Sequence, residues 1–84
     1  MDIKVLGSGC PNCKRLERYV RQVITDTGVE ATLTKVTDWD KIMAYNIVST
    51  PGLVINEQVV SSGRIPSKAE VTTLVVNALA EEEG

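Results

Sequence analysis

The chain has 84 residues, 43% hydrophobic and 24% charged, with 11 acidic and 9 basic side chains, no histidine and a formal net charge of −2. That length accommodates one domain with a single small core, expected to span 1–84 as a monomer. The weakly acidic balance excludes the basic surface a nucleic-acid partner requires. No apolar run reaches the roughly 18 residues of a membrane span, and the short, charged start Met1-Asp2-Ile3-Lys4 does not make a signal peptide, so the chain reads as cytoplasmic.

Ile3-Lys4-Val5-Leu6, bounded by Gly7-Ser8-Gly9, reads as a strand. Pro11 to Thr27 is the clearest helix: Leu16, Tyr19, Val20, Val23 and Ile24 repeat at i, i+3, i+4, i+7 and i+8, making one apolar stripe. Lys14, Arg15, Glu17, Arg18 and Arg21 fall mostly off that stripe, towards water. Pro11 suits a first helical position and Gly28 a left-handed stop. Glu30 to Val36 alternates Ala31 and Leu33 with Thr32 and Thr34, as a half-buried edge strand does.

Thr37 or Asp38 caps a short predicted helix over Trp39 to Ile47, with Trp39 as a partly buried anchor and Met43 and Tyr45 facing the core. Thr50-Pro51-Gly52 interrupts the chain before a strand over Leu53-Val54-Ile55. Asn56-Glu57 then turns it into Gln58-Val59-Val60-Ser61, a hairpin closed by Gly63. Ser67-Lys68-Ala69-Glu70 has the form of a capping box, followed by the stripe Val71, Leu74, Val75, Ala78 and Leu79. The acidic run at 81–84 is expected to be a disordered tail. The predicted order is β-α-β-α-β-β-α: an α/β fold with a four-stranded mixed sheet and helices on both faces.

The chemistry concentrates at the only two cysteines, Cys10 and Cys13. In a reducing compartment a close pair is more often catalytic or metal-binding than structural. Cys10 falls at the N-cap of the first helix and Cys13 one turn on, so both share a face within bridging reach. Free N–H groups and the positive end of the helix dipole favour an anion at Cys10, and Lys14 and Arg15 add charge nearby. A free thiol titrates near roughly 8.5, and such surroundings lower that by about one to several units. Cys10 is thus the expected nucleophile towards a disulfide, and the more deeply placed Cys13 the resolving thiol. The rival reading is a soft-metal module, copper- or zinc-chaperone-like, using the same thiols. Against it stand Pro11 between the cysteines, the lack of a preceding Met, a final helix rather than a strand, and only two thiols where a closed structural zinc site takes four ligands.

Gly-Ser-Gly-Cys10-Pro11-Asn12-Cys13 after a strand, Thr50-Pro51-Gly52 entering a strand, and Gly63-Arg64 after the hairpin resemble the thioredoxin/glutaredoxin superfamily, and most nearly its small redox-active disulfide proteins. The resemblance covers nearly the whole chain. It implies a minimal thioredoxin-like fold, a redox-active Cys10–Cys13 disulfide with no other cofactor and no metal, and protein disulfide substrates served by a reductase. It also implies Pro11 and Asn12 as active-site support and a cis Thr50–Pro51 bond beside the pair, although sequence alone favours a trans proline opening a strand. Thr50 would then offer its backbone to an extended substrate, with Gly52, Gly63 and Arg64 as further candidates along that edge. Ser8-Gly9 stands where thioredoxins proper carry a Trp, and Lys4-Val5 where they carry a buried carboxylate. Ser62-Gly63-Arg64-Ile65 lacks the acidic residues with which glutaredoxins hold glutathione, so a protein or other dithiol is the expected reductant.

Overall fold

A computed structural model describes residues 1–83 of the chain. The elements are β1 (Asp2–Leu6), α1 (Pro11–Thr27), β2 (Thr32–Val36), α2 (Trp39–Met43), β3 (Gly52–Ile55), β4 (Gln58–Ser62) and α3 (Lys68–Glu83). They form one four-stranded sheet in the order β2-β1-β3-β4. β1 runs parallel to β2 and antiparallel to β3, and β3 is antiparallel to β4. The predicted order and mixed sheet are therefore the observed ones, with β2 at an edge.

Pleating divides the residues of β1 and β3 between two faces. Ile3, Val5, Leu53 and Ile55 meet Leu16, Val20 and Val23 of α1 and Val71 and Val75 of α3 in the larger cluster. On the other face Leu6 and Val54 pack with Ile42 and Ile47. β3 lies inside the sheet with both faces covered, and all four of its residues are buried. The hairpin turn is tight because Asn56 and Glu57 both take positive φ, 51° and 68°, the conformation of a two-residue turn whose twist matches its strands. β4 carries a register irregularity opposite Leu53 and Val54.

Four expectations change. The second helix stops at Met43, because Tyr45 N–H and Asn46 N–H turn back to the carbonyls of Ile42 and Met43 and Asn46 goes left-handed at φ 61°. Trp39 and Met43 are 56% and 49% exposed rather than packed inside, since five helical residues present only Ile42 fully to the sheet. Tyr45 is half-buried, with its hydroxyl 3.0 Å from Lys4 Nζ and 3.2 Å from a Glu57 carboxylate oxygen. The acidic run is not a separate tail: Glu81 to Glu83 continue α3, and Glu82 accepts a hydrogen bond from Asn56 Nδ2 at 2.9 Å. Gly84 lies outside the described residues.

Polar contacts fasten the margins. Asp38 caps α2 by accepting the N–H of Asp40 at 2.9 Å, and Ser67 Oγ accepts that of Glu70 at 3.1 Å. The Glu70 carboxylate pairs with Arg64, and with the Ser67 backbone behind it this holds the acid below its ordinary range. Lys4 is surrounded by Glu57, Tyr45 and Asp2, which raise its ammonium above the ordinary range, Glu57 most.

Leu16 lies fully buried at the centre of the larger cluster. Leu16→Ala is expected to destabilise the fold by about 2–5 kcal/mol, read as a lower urea midpoint at unchanged slope.

Candidate active site

Leu6 ends β1, and Gly7 N–H still bonds the Val36 carbonyl at 2.9 Å, so the sheet carries the chain to the cysteines. Cys10 is the N-cap of α1, extended at φ −69° and ψ 156°. Its sulfur accepts the N–H of Cys13 at 3.1 Å, doing the work an Asp or Ser oxygen does at other helix starts. Pro11 follows at the first helical position, where its missing N–H goes unneeded. The first turn of α1 holds no acidic residue that would compete for the positive helix end.

Cys10 and Cys13 are joined in a disulfide with their Cα atoms 5.1 Å apart. The two sulfurs are not equivalent. Cys10 is partly exposed with Pro11 and Asn12 open to solvent beside it, whereas Cys13 is 5% exposed and lies on the buried face of α1 with Leu16, Val20 and Val23.

Gly7 is the residue sequence reasoning missed. A side-chain carbon there would collide with Cys13 Sγ, and would lie 3.3 Å from Cys13 Cβ and 3.6 Å from Thr50 Cβ. Its φ of +155° also disfavours any side chain. The signal was present as a glycine between the strand and the first cysteine, but only the packed structure shows that the missing carbon makes room for the inner sulfur.

Thr50–Pro51 is cis, as the resemblance implied. Thr50 lies against the same space as Gly7 and Cys13. Gly63 N–H donates to the Pro51 carbonyl at 3.0 Å, tying the end of the hairpin to this corner. A Cβ on Gly63 would lie 2.5 Å from Ser49 Oγ. Two of the expected edge residues are elsewhere engaged. Gly52 is buried and paired on both sides, to Leu6 of β1 and Ser62 of β4, which leaves no edge for a substrate. Arg64 is exposed but its guanidinium is 2.5 Å from Glu70, at the start of α3. Val48, two residues before Thr50, is 97% exposed.

A cleft of about 70 Å³ opens beside Cys13, lined by Gly7, Glu17, Lys35 and Thr37 among others. It has room for water. Glu17 was expected on the solvent side, but it stands at i+4 from Cys13 and so shares its flank of the helix. Its carboxylate is 2.9 Å from Arg21 and 3.6 Å from Lys35, and these contacts, Arg21 first, hold it below the ordinary carboxylate range. A separate groove of about 440 Å³ between Lys4, Thr34 and Tyr45 includes neither cysteine.

Comparison with known proteins agrees with this geometry. The family model described as "Thioredoxin domain" matches residues 1–76. The chain belongs to the thioredoxin-domain family. Among curated relatives, the thioredoxin of Methanothermobacter thermautotrophicus is 31% identical over 75 residues, covering 89% of this chain and 97% of that protein. The thioredoxin of Methanocaldococcus jannaschii is 35% identical over 69 residues, covering 82% and 79%. Two solved structures show the same fold. Thioredoxin 1 of Thermosipho africanus has a TM-score of 0.64 at 19% identity, with both chains fully covered. The germline-specific thioredoxin Deadhead of Drosophila melanogaster has a TM-score of 0.63 at 15% identity, covering 90% of this chain and 78% of that one. With this family and the Cys10–Cys13 disulfide, the chain is a thiol–disulfide oxidoreductase; neither the fold nor the relatives favour a soft-metal module.

Gly7 and Gly9 offer a matched pair of substitutions. Gly9 also has positive φ, +75°, but a Cβ there meets nothing within 4 Å. Gly9→Ala should show only the backbone cost, about 1–2 kcal/mol. Gly7→Ala should lose about 1–3 kcal/mol more from overpacking against the sulfur, measured by urea unfolding of the two oxidised variants side by side.

Proposed function

We propose that Cys10 is the attacking thiol and Cys13 the resolving thiol of a cycle that reduces protein disulfides. The observation that carries this division is the difference in burial between a partly exposed N-cap sulfur and an inner one 5% exposed. In the reduced chain the helix N-terminus and the Cys13 N–H stabilise a thiolate at Cys10. Attack of that thiolate on a substrate disulfide breaks the substrate S–S bond, forms a mixed disulfide and releases the first substrate thiol. Cys13 then attacks Cys10, restoring the internal disulfide and expelling the second substrate sulfur.

Cys13 has to lose its proton for the second step. Glu17 borders its cleft, but a carboxylate held ionised by Arg21 and Lys35 is a weak base. Its charge, balanced by Lys35, fixes the field beside Cys13, and water in the cleft or the departing thiolate accepts the proton. Pro11, Asn12, Thr50 and Pro51 form the rim against which an extended substrate segment lies. Gly63 supports that rim through Pro51. A separate reductase returns the disulfide to the dithiol, and a protein or other dithiol fits this role better than glutathione. The protein is read as a cytoplasmic monomer; no described helix is long and apolar enough to cross a membrane.

Trapping separates the two sulfurs. Cys13→Ser should accumulate a stable mixed disulfide with a disulfide-bonded substrate, and Cys10→Ser should accumulate none, by non-reducing electrophoresis and mass spectrometry; the opposite pattern reverses the roles. Free thiols titrated through a series of redox buffers, with and without Cu(I) or Zn(II), test the chemistry itself. One reversible two-thiol transition is expected. Stoichiometric tight metal binding without a stable disulfide would instead favour the metal module.

A further inference from the structure

Cationic side chains of this protein are mostly spoken for. Lys4 lies against Asp2 and Glu57, Arg21 and Lys35 against Glu17, Arg64 against Glu70, and Lys68 against Asp26. Among the described residues no ion pair involves Lys14, Arg15 or Arg18, all of them exposed on the outer side of α1. Lys41 is likewise outside any ion pair, but it stands on α2 with Asp38 and Asp40.

Position makes the α1 cluster significant. At a helical rise of about 1.5 Å per residue, Lys14 and Arg18 lie roughly 6 and 12 Å along the axis from Cys10. Being four residues apart they follow one another on the same strip, with Arg15 beside them. Lys14 is thus one turn along α1 from Cys10, an axial step shorter than the screening length of about 8 Å at physiological salt, and Arg18 extends the basic strip along the helix. Lys14 also lines the cleft beside Cys13, together with Glu17, Lys35 and Thr37, so the basic strip begins at the site itself. The chain as a whole carries −2. That net charge opposes general attraction of polyanions, so any complementarity is local and directional.

We infer that the disulfide partner of this protein is a polypeptide segment whose cystine is flanked by Asp or Glu, laid along the outer face of α1 on Lys14, Arg15 and Arg18. The inference rests on the oxidoreductase reading above and adds the class of partner. In the exchange, the Cys10–Cys13 dithiol gives two electrons and two protons; its own S–S bond forms, the peptide S–S bond breaks, and two peptide thiols result. The basic strip acts on encounter and orientation, through an association rate that falls with salt.

The test uses the full chain, reduced with dithiothreitol and freed of it, against three peptides with one common disulfide and acidic, neutral or basic flanking residues. The readout is the ratio of second-order rates for the acidic and basic peptides, in which any change of Cys10 reactivity cancels. At low ionic strength the acidic peptide should react about tenfold faster, and the ratio should approach one at high salt. K14E/R15E/R18E should invert it. The milder R15Q/R18Q, which removes charge without reversing it, should lower it and covers a poorly folded triple variant. A low-salt wild-type ratio of one or less, or a ratio unmoved in folded variants, overturns the inference while leaving the oxidoreductase reading intact. Failure to reduce even the neutral peptide overturns that reading, and the inference with it.

Discussion

The packing of one face of α1 onto β1 and β3 is the constraint from which the site follows. Leu16, Val20 and Val23 are fully buried against Ile3, Val5, Leu53 and Ile55, and Cys13 is the first residue of that same face. Anchoring the helix there draws the inner sulfur under cover and leaves Cys10, at the cap, beyond the edge of the core. The difference in burial between the two sulfurs is thus produced by helical periodicity and by where the helix begins. In a chain of this size few apolar side chains are available to hold that arrangement, so the same residues serve stability and chemistry.

A second condition is the absence of side-chain volume at the end of β1. Helix and strand converge on Gly7 closely enough that one added carbon would meet the Cys13 sulfur. From the opposite direction the segment through Thr50 and Pro51 reaches the same point, held by the Gly63 N–H just past the end of β4. The end of β1, the start of α1 and the remote Thr50 segment therefore meet around one sulfur. Charged groups border this meeting point: Lys14, Glu17 and Lys35 line the cleft, and Arg15 and Arg18 continue along α1.

Much of this was readable from local pattern. The 3.6-residue repeat of α1, that of α3 as far as Ala78, the Asn56-Glu57 turn, the Gly28 stop and the order of elements along the chain rest on local pattern. Each stands in the structure where those residues place it, whereas Leu79 at the end of the α3 stripe is exposed. The errors fall where a long-range contact decides. Asn56 reaches Glu82 across 26 residues and the acidic run joins the last helix. Gly52 looked available for a substrate but is enclosed between two strands. Glu17 looked solvated until Lys35, on another element, closed over it.

Two cysteines three residues apart at a helix start were by themselves enough to locate the reactive site, because the spacing brings the sulfurs together and the helix end favours a thiolate. Choosing exchange over soft-metal binding took the rest of the chain. The tertiary structure alone decided which sulfur is covered by Gly7 and Thr50, that Arg64 is held by Glu70, and that Lys14, Arg15 and Arg18 have no partner among the described residues. Those properties depend on what lies opposite each side chain, and the opposing residues come from elements that no local pattern in the chain brings together.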